Sequence, residues 1–395
     1  MKTSLDKEEK GAGPADRKSG GPGSALSRRR FLAGSAAMIA MGMAGIPPVR
    51  SGPGVPRREA SFCSGPGGGA VQCLLCPHSC TIPPGGRGKC GVRENVDGSL
   101  YSLVYGRPCS MHLDPIEKKP FFHVMPGTSA FSLSTVGCNM TCRFCQNWQI
   151  SRAKPEDIEA GYAGPDEIVE RALSVSAGSI AFTYGEPVVF FEYMYDIACA
   201  AREKGLRSLV VTNGYCSIEA IKKLCGRVDA VKIDLKAFDD AYYKRICGGS
   251  LKPVLDSLVE VRKAGVWLEI VYLVVPTLND GRGEIGAMSR WIISELGPDV
   301  PVHFSRFFPQ YRLTNLPPTP VSSLEAARKI CIGEGARYVY IGNAALAEAE
   351  STYCHACGRM IISRKGHMVT GTEMSGGKCN HCGAVIPGIW REGKG

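Results

Sequence analysis

The chain of 395 residues carries 47 Lys/Arg against 37 Asp/Glu, a net charge of +10, with 44% hydrophobic residues and 18 cysteines. That length has room for two or three domains around a large core. The positive balance does not describe a nucleic-acid binder, because residues 1–60 hold eleven Lys/Arg against five Asp/Glu and the body has no basic run interleaved with aromatics. Eighteen cysteines in so long a chain also exclude a small disulfide-framed domain.

In chain order, residues 1–26 are Gly, Ser and charge, a composition that reads as disordered. Ser27-Arg28-Arg29-Arg30-Phe31-Leu32 then leads into a weakly apolar, Gly/Ala-rich run ending at Ile46. Paired arginines before such a run match a twin-arginine export signal, assigned here to residues 1–50, with a basic tail as the alternative. The run is too short and too rich in glycine for a stable membrane span. Residues 51–70, dense in Pro and Gly, read as a linker.

Residues 71–128 are expected to form an N-terminal Cys-rich domain. Cys73, Cys76, Cys80 and Cys90 follow a C-x2-C-x3-C-x9-C spacing, and four thiolates so placed suit zinc, iron or an auxiliary cluster, a disulfide pair being the alternative. His78 is expected beside this site and not in it. Asp114-Pro-Ile-Glu-Lys118-Lys119 reads as a solvated stretch, with substrate contact by the lysines as the other reading.

From residue 129 to 345 short apolar runs alternate with amphipathic ones, the signature of βα units around a parallel sheet. Strands are predicted at 130–136, 179–184, 208–213, 230–235, 267–275, 301–306 and 337–342. Helices are predicted at 165–176, 189–204, 217–225, 252–264, 283–296 and 322–334. Chemically capable residues gather at the strand C-termini, which makes this a whole or partial (β/α) barrel with its reaction centre on that face. After the first strand, Cys138, Cys142 and Cys145 at C-x3-C-x2-C spacing can hold three irons of a 4Fe–4S cluster and leave the fourth open. Gly185 and Glu186, Asn213, and Asp234 with Lys236 follow the next three strands; taken singly, Asn213 is also a turn residue and Asp234–Lys236 a surface pair. His303, inside a predicted strand, reads as a wall histidine. Residues 346–395 form a separate zinc-ribbon or rubredoxin-like module, since Cys354, Cys357, Cys379 and Cys382 make paired C-x2-C knuckles for zinc or a single iron.

The stretch Thr135–Ser151 resembles the cluster loop of radical S-adenosylmethionine (SAM) enzymes. Thr183-Tyr184-Gly185-Glu186-Pro187 resembles their glycine–glutamate motif, with tyrosine where the first glycine usually stands. Together with C-L-L-C-P-H-S-C, D-P-I-E-K-K-P and C-N-H-C-G-A-V-I-P-G-I-W, residues 70–391 are similar to the radical SAM member of the AmmeMemoRadiSam system, relatives of pyruvate formate-lyase-activating enzymes. The resemblance implies a partial radical SAM barrel, a 4Fe–4S cluster at Cys138, Cys142 and Cys145, and SAM. It implies SAM contacts from Gly185, Glu186, Asn213, Asp234 and Lys236. It also implies a ferredoxin- or flavodoxin-like reductant, Memo-like and AMME-like partners, and reductive SAM cleavage followed by hydrogen abstraction. An iron–sulfur electron carrier without SAM chemistry is the alternative. The signal favours export, whereas SAM and low-potential electrons are cytoplasmic supplies.

Overall fold

The structure, a computed structural model, describes residues 57–390; the expected export signal and residues 51–56 of the expected linker lie outside the described residues. An eight-stranded sheet organises the chain: β1 (Ser110–Pro115), β2 (Ser129–Ser134), β3 (Ser179–Phe182), β4 (Arg207–Thr212), β5 (Ala230–Asp234), β6 (Trp267–Val274), β7 (Val302–Arg306) and β8 (Val339–Gly342). The strands lie side by side in chain order, so β1 and β8 form its two ends. From β2 to β8 all pairs are parallel, with Ala130 opposite Ser179, Leu209 opposite Ala230 and Val302 opposite Val339. Helices α1 (Pro165–Ser174), α2 (Phe191–Glu203), α3 (Ile218–Cys225), α4 (Lys252–Lys263), α5 (Arg282–Leu296) and α6 (Val321–Gly333) occupy the crossovers. This is the partial barrel the periodicity implies. β1 is an addition: it pairs antiparallel with β2 and ends on Pro115, a residue suited to an edge.

Period-two alternation assigns the faces. Leu133, Phe182 and Val210 turn outward into the helix layer. Ala130, Ala181, Leu209 and Ala230 turn inward near the strand starts, where Ile116, Phe121, Val124 and Met125 pack on them and plug the barrel floor. Further along, the inner face becomes polar, with Ala230 followed by Lys232 and Asp234 on the same side of β5. Within the 71–128 stretch expected as one Cys-rich domain, residues 110–125 therefore belong to the barrel. Residues 58–102 make two small three-stranded sheets instead. Arg93, 1% exposed, ties them to the barrel by pairing with Glu192 of α2.

The C-terminal module contains an antiparallel sheet of Thr352–Tyr353, Met360–Lys365 and Met368–Thr372, followed by a hairpin of Met374–Ser375 and Lys378–Cys379. It docks on the floor segment: the Ile389 N–H donates to the His123 carbonyl at 2.7 Å, and the Met125 N–H to the Ile389 carbonyl at 2.7 Å. Arg364 donates to the Phe122 carbonyl at 2.7 Å and to Thr352 Oγ1 at 2.7 Å, and faces the buried Glu117 at 3.7 Å. No helix among the described residues is long and apolar enough to cross a membrane.

Candidate active site

A cavity of about 590 Å³ opens at the C-terminal ends of the strands, and Cys138, Cys142 and Cys145 all line it. The loop that carries them is braced before any metal is considered. Thr141 and Arg143 donate their N–H groups to the carbonyls of Cys247 (2.8 Å) and Ile246 (3.0 Å). Those carbonyls come from a π-helical turn, Tyr243–Cys247, a distortion common at functional sites. The Arg152 guanidinium donates to the carbonyls of Cys138 (3.0 Å) and Met140 (2.7 Å), and Asn139 Nδ2 to the carbonyl of Tyr215 (2.7 Å). Gly137 is required: at φ +98, a Cβ there would stand 2.6 Å from Val92 Cγ1 and 3.0 Å from the Cys90 carbonyl.

The three thiols fit a cluster. They are soft donors facing one cavity, and burial raises the pKa of Cys138 and Cys145, so ionisation needs a cation to repay it. The neighbouring Cys247 thiol, followed by burial, pushes Cys142 well up. Cys247 does not line the cavity, so three sulfurs and not four face it.

The other expected residues surround the same space. Gly185 fits where a Cβ would meet Ser134 Oγ at 2.7 Å and the Thr135 carbonyl at 3.0 Å. Tyr184, at the position of the missing glycine, adopts φ +65 and hydrogen-bonds Asp114, which anchors a conformation a glycine would take freely. Glu186 is 3% exposed and accepts from Thr212 Oγ1 (2.6 Å), the Asn213 N–H (2.8 Å) and the Val188 N–H (3.1 Å). Burial lifts its pKa to about 7 against these three donors. Asn213 is no simple turn residue: buried, it donates to Asn139 Oδ1 at 2.9 Å and so braces the cysteine loop.

Asp234 and Lys236 are not a surface pair. Asp234 accepts from Lys236 at 2.7 Å and also from Lys232. Burial opposes its charge, but the two lysines hold its pKa at about 2. Lys236 is likewise disfavoured by burial, yet Asp234 and Cys142 keep it above the usual lysine value. His303 is a wall residue, bound to Glu269 at 2.7 Å, whose carboxylate also accepts from the N–H groups of Phe122 (3.0 Å) and His123 (2.9 Å).

One expectation is corrected. The Asp114–Lys119 stretch is not solvated: Lys119 is 3% exposed and pairs with Asp114 at 2.5 Å under the Tyr184 ring, 4.3 Å from its centroid. Burial draws its pKa down to about 8 although Asp114 opposes this. Lys118 stays half-exposed but also pairs with Asp114, at 2.8 Å. Lys232 and Cys247 were not among the expected site residues, and Lys119 was one only in the alternative reading of its stretch. Lys232 was findable, two positions before Asp234 on one strand face; Lys119 and Cys247 depend on contacts far away in sequence.

At the other end of the chain, the four ribbon sulfurs lie within 4.8 Å of one another, with Cys354–Cys382 at 3.6 Å and Cys357–Cys379 at 3.8 Å. All the cysteines are free, so the disulfide alternative for Cys73, Cys76, Cys80 and Cys90 is not formed.

The radical SAM superfamily model matches residues 132–286, from within β2 through the cysteine loop and the ends of β3 to β6. Residues 132–286 of this chain are therefore a radical SAM domain. An uncharacterized protein of Methanocaldococcus jannaschii is 43% identical over 331 residues, 83% of this chain and 98% of its own length, and the two belong to one family. The pyruvate formate-lyase-activating enzyme of Clostridium pasteurianum is 28% identical over 165 residues, 40% of this chain and 66% of the enzyme, just under two thirds. A solved radical SAM methyltransferase of Sphaerobacter thermophilus overlays with a TM-score of 0.44 at 14% identity, across 78% of this chain and 82% of that one. The radical SAM domain implies a 4Fe–4S cluster and SAM as cofactors, and Cys354, Cys357, Cys379 and Cys382 have the geometry to bind a metal.

Proposed function

We propose that this chain is the radical SAM enzyme of an AmmeMemoRadiSam-type system and removes hydrogen from a substrate held in the barrel cavity. The carrying observation is the convergence of Cys138, Cys142 and Cys145 on a cavity that no fourth thiol lines among the described residues. When bound, the cluster and SAM supply one-electron cleavage to a 5′-deoxyadenosyl radical that abstracts hydrogen. Cys138, Cys142 and Cys145 would hold the cluster. The backbone at Gly185, kept open by the absent Cβ, would take the methionine ammonium group. Lys236, charged and fixed by Asp234, would pair the methionine carboxylate, and Asn213 and Asp234 would accept ribose hydroxyl hydrogens. Glu186 ties the ends of β3 and β4 together through Thr212 and Asn213, holding these groups in register.

Lys119 and Lys232 place buried cationic groups around the remaining space, with His303 in its wall. A ferredoxin- or flavodoxin-like protein is the proposed reductant. Memo-like and AMME-like proteins are the proposed system partners, and a glycyl-radical-type protein is a proposed target by likeness to the activating enzyme. Zinc or a single iron is proposed for Cys354, Cys357, Cys379 and Cys382.

Anaerobically reconstituted, dithionite-reduced protein given SAM should release 5′-deoxyadenosine. A reduced, cluster-loaded protein that binds SAM and leaves it intact would overturn the reading in favour of an electron carrier. Lys236→Met should weaken SAM binding roughly tenfold, the cost of one lost charge-assisted contact of about 1.4 kcal/mol, read by equilibrium binding.

A further inference from the structure

The N-terminal cysteines lie on a small frame of their own. Cys73 ends the strand Ala70–Cys73, and its N–H donates to the Cys80 carbonyl at 2.9 Å, closing the loop that carries Cys76. Cys90 sits in the turn where the Gly91 N–H donates to the Gly88 carbonyl at 2.9 Å. All four thiols line one internal void of about 20 Å³, shared with His78, Arg93 and Asn139.

That void speaks against a closed single-ion site. Four thiolates on one zinc stand about 2.3 Å from it and therefore ~3.8 Å from one another, which leaves no space for a water-sized sphere between them. The ribbon shows this spacing, with sulfur pairs at 3.6 and 3.8 Å. Among the described residues it is the only group in which three or more potential ligand atoms lie mutually within 4.8 Å. No three sulfurs of Cys73, Cys76, Cys80 and Cys90 are therefore that close. The same holds for Cys138, Cys142 and Cys145, whose ligands go to separate irons in the cluster the superfamily carries. The N-terminal void exceeds the ~10–15 Å³ that a single water needs.

The charges around the void agree. Arg93 Nη1 donates to Cys73 Sγ at 3.6 Å, while Arg93 Nε, fully buried, finds no acceptor among the described residues. Inorganic sulfide bridging irons is an acceptor that a lone metal ion does not bring, and hydrogen bonds to cluster sulfur are a usual way to stabilise its negative charge. We propose that Cys73, Cys76, Cys80 and Cys90 hold a second iron–sulfur cluster and not a single metal ion.

Its place gives it a neighbour. His78 Nε2 lies 2.7 Å from the Asn139 carbonyl, Asn139 lines the void, and Cys138 is the next residue of the chain. The absent side chain of Gly137 lets the Cys90 carbonyl approach the loop, so the two iron–sulfur centres would sit on loops in direct contact.

Acid-labile sulfide is the decisive readout, because single-ion sites contain none. The full chain, reconstituted anaerobically, should hold about eight sulfides, and about four should remain in the Cys138→Ala/Cys142→Ala/Cys145→Ala variant with a dithionite-bleachable absorption. Adding Cys73→Ala and Cys76→Ala should remove the rest. A triple variant that contains zinc or iron but no sulfide overturns the proposal, as does sulfide that survives the added substitutions. Should the five-substitution chain not fold, the triple variant decides alone, because the other four-thiol group among the described residues, Cys354, Cys357, Cys379 and Cys382, has its sulfur pairs drawn together to 3.6 and 3.8 Å, the spacing of a single-ion site without sulfide. The count is independent of SAM cleavage, so it stands or falls separately from the enzymatic reading.

Discussion

The cysteine loop at Thr135–Ser151 and the C-terminal ribbon use the same side chain in opposite ways. In the loop, backbone N–H and carbonyl groups are already paired with the π-helical turn and Arg152, the Asn139 amide donates to the Tyr215 carbonyl, and the buried Phe144 ring packs 6.4 Å from Tyr242. The barrel supplies the frame, and the sulfurs are spread to face a cavity. In the ribbon the strands have two to six residues, Cys357 and Cys382 are exposed, and the sulfurs converge within 4.8 Å. Here a metal held by the four thiols would supply much of the frame, since so little apolar surface is buried. Cysteines held by a prebuilt fold should matter to chemistry and little to stability, and cysteines that build their own fold should do the reverse.

The largest effect expected is on catalysis. Cys138→Ala/Cys142→Ala/Cys145→Ala should abolish 5′-deoxyadenosine formation while the thermal midpoint moves by no more than about 4 °C, because the barrel core lies elsewhere. Unfolding of this variant by circular dichroism would erase the contrast. Next in size, Cys354→Ser/Cys357→Ser should release the ribbon metal and lower stability by several kcal/mol in urea titrations, while SAM binding per folded molecule persists. Full stability with lost SAM binding would invert the comparison.

Arg364→Ala sharpens the question of how the ribbon is fastened to the barrel. It strands Glu117, whose carboxylate is fully buried, and removes donors to the Phe122 carbonyl and Thr352 Oγ1; a loss of about 3–5 kcal/mol is expected. A loss under about 1 kcal/mol would mean that the Ile389 pairing carries the docking. Smallest is a pH effect at the strand ends. Glu186 titrates at about 7 in the fold against an ordinary value of 4.5, so its protonated form is the favoured one. Its contribution is fully present below pH 4.5 and is lost as pH rises through 7. Relative to Glu186→Gln, the native chain without its cluster should lose on the order of 1–3 kcal/mol between pH 5 and 8, measured by chemical denaturation. A pH-independent difference would show the carboxylate to be ionised throughout.

Much of this arrangement is local and therefore visible in the sequence. The seven parallel strands follow from apolar runs buried on both faces, and the placement of Glu186, Asn213 and Asp234 at their ends follows from strand length alone. Knuckles of the C-x2-C kind announce themselves because both ligands of a pair lie within one turn. Other features exist only through partners far along the chain. Lys119 is buried because Asp114 on β1 and Tyr184 after β3 meet over it, and Cys247 touches Cys142 because a π-helical turn folds back on the loop. Asp234 has two lysines and not one because the pleat turns Lys232 to the same face. Sequence by itself determined which residues could bind metal and at which strand ends they stand, since spacing along one element is set by backbone geometry. Tertiary structure alone decided how far apart the sulfurs lie and which charges are buried beside them, because those distances belong to packing between elements and not to any one of them.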